Sequence, residues 1–525
     1  MLKPQERVPL AEEERQFYSQ LVPPDHFLLR LLEVIDFERF RNELETCYCP
    51  DDGRPPVDPV CMLKLEILAR HYNLSDRQVI AQTQVNVAFR LFAGLSVRTP
   101  LPHHTSLTYF RERVGAARLQ EIFQTLLSQA RELGLVRDRL RLKDATHIIA
   151  NIAIPSTLQL VAQTRERLLT AVRPFAPARV EQEQQHAAAL AQASADLADQ
   201  ERLVRRVAHL RTVLAWAEQV PQQEAFRQAP LAQQESLRQA LRLAHKVLAD
   251  QDPDAKDKLV SVQDPDARVG KHGDYYEGYL LDLAMDADSE LITAVAVLPA
   301  NVDEGAHGAD LIRQEEQAHG NDVQAVSMDS VGFRGDLLRE LTDPQGLNME
   351  VFVPPRAEPA SAVFKPEQFT VSADGTTMTC PAGQTTQWQV EVKQGPRFIF
   401  SEGVCAECPL RQQCLAKPTA KRRSVLKNRY EAEYRASRAK APTPAYAEVR
   451  RRHPAIERKF SELVRRHQLR QARYRGQPKV DRQSILTALV VNLKRMVHLV
   501  KGGLSQALAP PPTAVTVRAV GLTGG

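Results

Sequence analysis

The chain has 525 residues, 43% of them hydrophobic and 25% charged, with a formal charge of +5 and seven cysteines. That length exceeds one ordinary core, so two to four domains are expected. No run of roughly eighteen apolar residues is present and the N-terminal MLKPQERVPLAEEER lacks an apolar signal region, which argues against a membrane span and for a cytoplasmic protein with reduced thiols.

The charge is unevenly spread. Between Arg411 and Lys501 there are 25 Lys and Arg against 6 Asp and Glu, a local +19 that leaves the remainder at −14. Such a tract is the footprint of a polyanion site, and nucleic acid is the polyanion it suits, although a solvated basic face would have the same composition.

In chain order, an amphipathic segment over 27–44 is followed by the turn-rich CYCPDDGRPP. The pattern is then helical from Val57 to about Leu135. Pro59 opens a helix reaching His71, and Ser75 with Gln78 fits a capping box for a helix through Gln84. Another helix begins near Asn86, and a longer one runs from HHTSLTYFRERV to Glu132. The short pair is compatible with a helix-turn-helix or with a plain packing unit.

Near Arg139 the period changes to two. Leu140, Leu142, Asp144, Thr146 and Ile148 share one face of a strand that ends at Ile154-Pro155. A carboxylate inside a half-buried strand is costly unless paired or metal-bound, so Asp144 needs an explanation. Residues 157 to about 250 then read as a helical hairpin or short coiled coil, with stripes Leu203, Val207, Leu210, Leu214 and Leu237, Leu241, Ala244, Leu248.

Strands return as a hairpin over 276–287 and 291–299, and 303–319 reads as a helix. In QAVSMDSVGF a short apolar strand ends at Asp329, the edge position at which sheets present carboxylates. Four cysteines follow as Cys380-x24-Cys405-x2-Cys408-x5-Cys414, which suits one structural Zn²⁺ or a set of unligated thiols. After Pro454, the residues Ile456, Phe460, Leu463, Val464 and His467 recur at helical spacing and leave Glu457 beside the buried stripe, with Arg458 and Ser461 as its local partners if it is only a surface charge. Past Met496 the Pro and Gly content predicts a disordered tail over 502–525.

The blocks KDATHIIANIAIPS, DPDARVGKHGDYYEGYLLDLAMDADSELITAVAVLPANVDE, VSMDSVGF, the cysteine cluster, and RRHPAIERKFSELVRRHQLRQARYRGQPKV with VVNLKRMV resemble, in this order, the bacterial insertion-sequence transposases of the DDE type. The resemblance implies an α/β fold with an RNase H-like mixed-sheet catalytic core in the segments 137–156, 262–345 and 426–501. To this it adds an N-terminal extension (1–56), an all-α DNA-binding domain (57–136), a coiled-coil-like helical insertion (157–261) and a zinc-ribbon-like insertion (346–425).

The resemblance further implies that Asp144, Asp329 and Glu457 hold two Mg²⁺ or Mn²⁺ ions for in-line phosphoryl transfer, cleaving transposon ends and joining them to target DNA. The DNA partners implied are terminal inverted repeats and target, bound by a homodimer on paired ends. Phosphate contacts are expected from Arg452, Arg458, Lys459, Arg465, Arg466, Arg470, Arg473, Arg475 and Lys479. Two features depart from the family. Relatives carry Arg four residues before the third carboxylate and Lys seven after, where this chain has His453 and Val464, and the insertion after the first Asp is long. A catalytically idle DNA-binding descendant and a nuclease without strand transfer are the alternatives.

Overall fold

The computed structural model describes residues 12–49, 56–356, 363–415, 417 and 419–507. Pro59–His71 begins where the Asp58 carboxylate accepts from the Val60 amide at 3.0 Å, with proline in the first turn. Ser75 and Gln78 form the capping box of Asp76–Val85, and Asn86 caps Val87–Ala93. Thr105–Glu132 has its expected bounds but bends at Gly115, whose φ of 66° suits glycine. The single amphipathic segment expected over 27–44 is instead a helix, Phe27–Val34, a 3₁₀ turn, Phe37–Phe40, and a second helix, Arg41–Glu45.

Six strands make the central mixed sheet: β1 (Arg141–Ile149), β2 (Arg268–His272), β3 (Asp274–Asp286), β4 (Ile292–Pro299), β5 (Ala325–Ser327) and β6 (Glu350–Phe352). β3 runs antiparallel to β1 on one side and to β2 and then β4 on the other, while β5 and β6 continue beyond β1 in parallel. β1 stops at Ile149, short of Pro155, because the chain after the helix Pro454–His467 takes over its edge. The Ile149 amide donates to the Arg470 carbonyl at 2.8 Å and the Ala472 amide to the Ile149 carbonyl at 2.9 Å.

The root of β1 is fastened by a buried ionic knot. Arg141, fully buried, donates to Asp286 at 2.9 Å, Glu315 at 2.6 Å and Asp138 at 2.7 Å. Removing Arg141 would strand the buried Asp286 carboxylate, which has no other ion-pair partner among the described residues. Glu315 belongs to the helix Asp310–His319, which with the 3₁₀ turn Glu304–His307 replaces the continuous helix expected over 303–319. Gly308 lies at the join, and a Cβ there would meet the Leu337 side chain at 2.5 Å.

The helical N-terminus, the sheet and the C-terminal helix Gln477–Ala507 share one core. Leu31, Phe40, Leu65 and Leu126 belong to the same buried cluster as Leu142, Leu283, Ile456 and Leu489. Inside it, the Asn492 side chain accepts from the Ile292 amide at 2.8 Å and donates to the Ile292 carbonyl at 2.7 Å, so a buried amide is satisfied while it fixes the helix to β4. This helix runs to Ala507, into the segment expected to be a tail, and 508–525 lie outside the described residues.

The insertion is larger than a hairpin. Thr157–Val172 packs against both Asp199–Ala217 and Leu231–Ala249, and Pro177–Ala193 completes a bundle with its own core. Packing against two partners buries a wider arc than one seam does. Val213, Leu243 and Val247 are therefore buried, while Leu203, Leu241 and Leu248 from the expected stripes are only partly so. The cysteine-bearing segment forms two small three-stranded sheets around Phe369, Met378, Phe398, Phe400 and Val425.

Candidate active site

β1 and β5 pair in parallel at Arg141 with Val326 and at Leu142 with Ser327, and then part. Asp144 lies two residues past Leu142 and Asp329 two past Ser327, so the cleft opened by the diverging strands receives both carboxylates, together with Glu304. Asp329 caps the 3₁₀ turn Ser330–Gly332, accepting from the Val331 amide at 2.9 Å. Asp144 accepts from the Ala145 amide at 2.8 Å. Neither has an ion-pair partner among the described residues. Burial pushes the Asp144 carboxyl up to about 7, and Asp329 and Glu304 add to the shift. Glu304 is raised as well, by burial and then by Asp329. A cleft in which neighbouring carboxylates disfavour further negative charge is one that a cation would relieve.

Glu457 is exposed on the helix Pro454–His467, which packs against β1. Among the described residues its carboxylate makes no ion pair or hydrogen bond. The local partners read from the sequence are otherwise engaged or silent, since Arg458 reaches Glu290 at 3.6 Å. Arg450 connects the acidic groups. Its Nη1 donates to the Met328 carbonyl at 2.7 Å and to Ser327 Oγ at 3.1 Å. Burial holds the guanidinium below its usual range, against the pull of Tyr446, Asp329, Asp144 and Glu457.

The three carboxylates are not mutually within 4.8 Å. Among the described residues the group that meets that spacing is Glu183, His186 and His209 in the insertion, where Glu183 is already engaged by Arg179 at 2.7 Å and by His209 Nε2 at 3.0 Å. Two ions about 3.5–4 Å apart do not demand that every ligand touch every other, since only a bridging carboxylate is shared.

Of the expected phosphate contacts, Arg458, Arg465, Arg466, Arg475 and Lys479 are exposed. Lys459 is buried and bonded to Glu462 at 3.4 Å, so it is not on that face. Its position three residues after Ile456 and four before Leu463 puts it on the apolar stripe. Arg452 pairs with Asp288, and Arg470 is spent on Thr146 Oγ1 at 3.2 Å and the His147 carbonyl at 2.6 Å. Arg473 is half-buried.

Cys380, Cys405, Cys408 and Cys414 line one pocket with Gln384 and Arg423. The Cys414 thiol is raised by burial, and the other three thiols add to it.

Sequence reasoning missed Glu304, which it had absorbed into a regular helix, and Arg450, which stands three residues before the expected arginine position. It also missed Lys143, whose ammonium is paired with the buried Asp282 at 2.7 Å beside the cleft.

Compared with protein-family models, residues 16–113 match a transposase domain (DUF772) and residues 379–497 match a transposase DDE domain. The second match contains Glu457 and all four cysteines; Asp144 and Asp329 lie outside both. No solved structure matches the chain. The chain is thus similar to transposases over both segments, and to their DDE domain over the second. No helix among the described residues is long and apolar enough to cross a membrane.

Proposed function

We propose that the chain cleaves transposon ends and transfers them into target DNA at a two-metal site held by Asp144, Asp329 and Glu457 on an RNase H-like core. The sheet order β4-β3-β1-β5-β6, three antiparallel strands followed by two parallel ones, supports that core. The observation that carries the reading is the pair Asp144 and Asp329. Asp144 lies on β1 and Asp329 two residues past the end of the parallel β5; both line one cleft, neither has an ion-pair partner among the described residues, and Asp329 raises the proton affinity of Asp144.

The donor set fits Mg²⁺ or Mn²⁺, since hard ions take carboxylate oxygens. When bound, such ions supply an activated hydroxyl nucleophile and neutralise the leaving oxygen. The protein's own part is positional. The parting of β1 from β5 fixes the distance between the two aspartates, and Arg450 ties the Asp329 turn to the helix preceding Glu457. Glu304 adds a fourth acidic group to the cleft wall. The exposed Arg458, Arg465, Arg466, Arg475 and Lys479 bind DNA phosphates and steer the duplex toward the cleft without reading bases. A homodimer pairs the two ends. Cys380, Cys405, Cys408 and Cys414 line one pocket and would hold one Zn²⁺ once their sulfurs, not mutually within 4.8 Å, draw together; the ion would staple a ribbon-like segment whose core is too small to stand alone.

The test is nicking and joining of a labelled duplex carrying the inverted repeats that flank the reading frame. Wild type should cut and join with Mg²⁺. Asp144→Asn, Asp329→Asn and Glu457→Gln should each lose roughly a thousandfold in rate, equivalent to about 4 kcal/mol of lost charge stabilisation, and still shift the DNA. Glu304→Gln should raise the Mg²⁺ requirement without abolishing turnover. Wild-type turnover in any of the three triad variants would remove that residue from the site.

A further inference from the structure

On the side of the molecule where the N-terminal helices meet the segment after Glu457, four arginines converge on one pocket. Arg70 comes from Pro59–His71, Arg111 from Thr105–Glu132, and Arg473 and Arg482 from the C-terminal part. Glu66 and Asp76 share the pocket, and both are committed to Arg111, with Glu66 at 2.7 Å. The other three guanidiniums have no carboxylate partner among the described residues.

Two of those three are deeply buried. Arg70 is 4% exposed, and the one hydrogen bond its guanidinium donates among the described residues is a long one, 3.5 Å, to the His467 carbonyl. Arg482 is 9% exposed; it donates through Nη1 to the Arg111 carbonyl, and its Nε has no partner. Tyr474 lies between Arg111 and Arg482, its ring centre 5.9 Å from one guanidinium and 5.7 Å from the other, which holds both planes in place. A buried cation without a counter-charge is strongly disfavoured, and here the cations also repel each other: Arg70 is pushed down to about 10 by burial and then by Arg473. Carbonyl bonds alone do not offset that. What the set lacks is an anion able to accept several guanidinium forks at once, which is the geometry of a phosphate.

We infer that this pocket, built jointly by Arg70, Arg473 and Arg482 between the N-terminal helices and the C-terminal segment, binds a phosphate group. Unlike the exposed basic residues near Glu457, this site has two buried guanidiniums in its wall, and it is assembled from segments about four hundred residues apart in the chain. Occupation by a backbone phosphate would couple DNA binding to the docking of the N-terminal helices on the catalytic part. That source rests on the transposase reading; phosphate binding itself does not.

The experiment uses the full chain in buffer without added Mg²⁺ or Mn²⁺, so that failure of the two-metal site cannot affect the result while any zinc is left in place. Thermal unfolding is followed with increasing inorganic phosphate against chloride at matched ionic strength. The pocket predicts a saturable rise of a few degrees with phosphate. Arg473→Gln, at a half-buried position that leaves the deep arginines in place, should abolish the rise, and Arg482→Gln should do the same as a second variant. A scan of single neutral methylphosphonates along a terminal duplex then separates the sources. If one position weakens wild-type binding about tenfold and leaves Arg473→Gln unaffected, the ligand is a DNA phosphate. If no position does so while the inorganic phosphate effect stands, the ligand is a free phosphate. No rise above the chloride control, or a rise undiminished in both variants, overturns the inference.

Discussion

Arg450 Nη1 donates at 2.7 Å to the carbonyl of Met328, the residue directly before Asp329, and Arg450 itself stands seven residues before Glu457. The same nitrogen reaches Ser327 Oγ at 3.1 Å, and Ser327 Oγ is in turn 3.1 Å from His453 Nδ1. His453 is buried and bonded to the end of β5, and Arg450 reaches the same Ser327 hydroxyl from the helix before it. Arg450 is a positioning residue, acting on the acidic cleft through the turn it holds.

Arg450→Gln should therefore lower nicking by roughly 10–100-fold, the loss typical when the support of a metal ligand is removed. DNA binding in EDTA should be unchanged. Arg450→Lys keeps the charge but places it on a shorter, more strongly hydrated group that must reach the same two acceptors, and should recover little. Rates measured against Mg²⁺ concentration check this, and a purely structural role would lower the melting temperature without moving the Mg²⁺ requirement.

Asp481 gives a pH signature away from the site. Burial pushes its carboxyl up to about 6, against the Val297 amide that donates to it at 3.2 Å. The folded state favours the protonated form. This group's contribution is thus fully present below the ordinary value of 3.8 and is lost as pH rises through about 6. Asp481→Asn keeps an acceptor for Val297 and removes the titration. Its melting temperature should match wild type near pH 4 and exceed it above pH 6, as calorimetry across that range would record.

If the cysteine cluster holds zinc, purified protein should contain one equivalent by elemental analysis. Chelation or Cys405→Ser should expose the segment 363–415 to protease, because its five-residue aromatic and aliphatic core is too small to persist alone. Metal-free protein with the same protease pattern would mean that the thiols are idle.

Arg465 and Arg466 are exposed at the end of the helix that carries Glu457. Neutralising both to Gln should weaken duplex binding and reduce the salt slope by about 0.9 for each phosphate no longer neutralised. Binding titrations between 50 and 200 mM salt span the useful range, and an unchanged slope would take both residues off the phosphate track.

Much of this was legible in the chain. Asp144 stood out because a carboxylate at an inward position of an alternating strand demands a reason, and Asp329 because an apolar strand ended on it before a glycine. The Ser75 and Gln78 capping box and the Pro59 start were readable because caps are local. What escaped was made by distant partners. Glu304 looked like one residue of a helix until Gly308 and Leu337 broke that helix into a turn over the cleft. Lys459 looked exposed by composition, yet its spacing to Ile456 and Leu463 puts it on the buried stripe, where it bonds to Glu462. The stripes of the insertion read as a seam because spacing gives the facing side of a helix and not the number of helices that will cover it. Arg70 gave no signal at all, since a lone arginine on an apolar helix acquires meaning only when Arg473 and Arg482 fold against it.

The central claim is that Asp144, Asp329 and Glu457 together hold a pair of divalent cations. Crystals equilibrated with Mn²⁺ and measured at the manganese edge test it directly. Two anomalous peaks about 3.5–4 Å apart are expected, the first bridged by Asp144 and Asp329 and the second within coordinating distance of Glu457. Manganese absent from the cleft, or bound there with Glu457 still turned to solvent in a DNA-bound crystal, would contradict it.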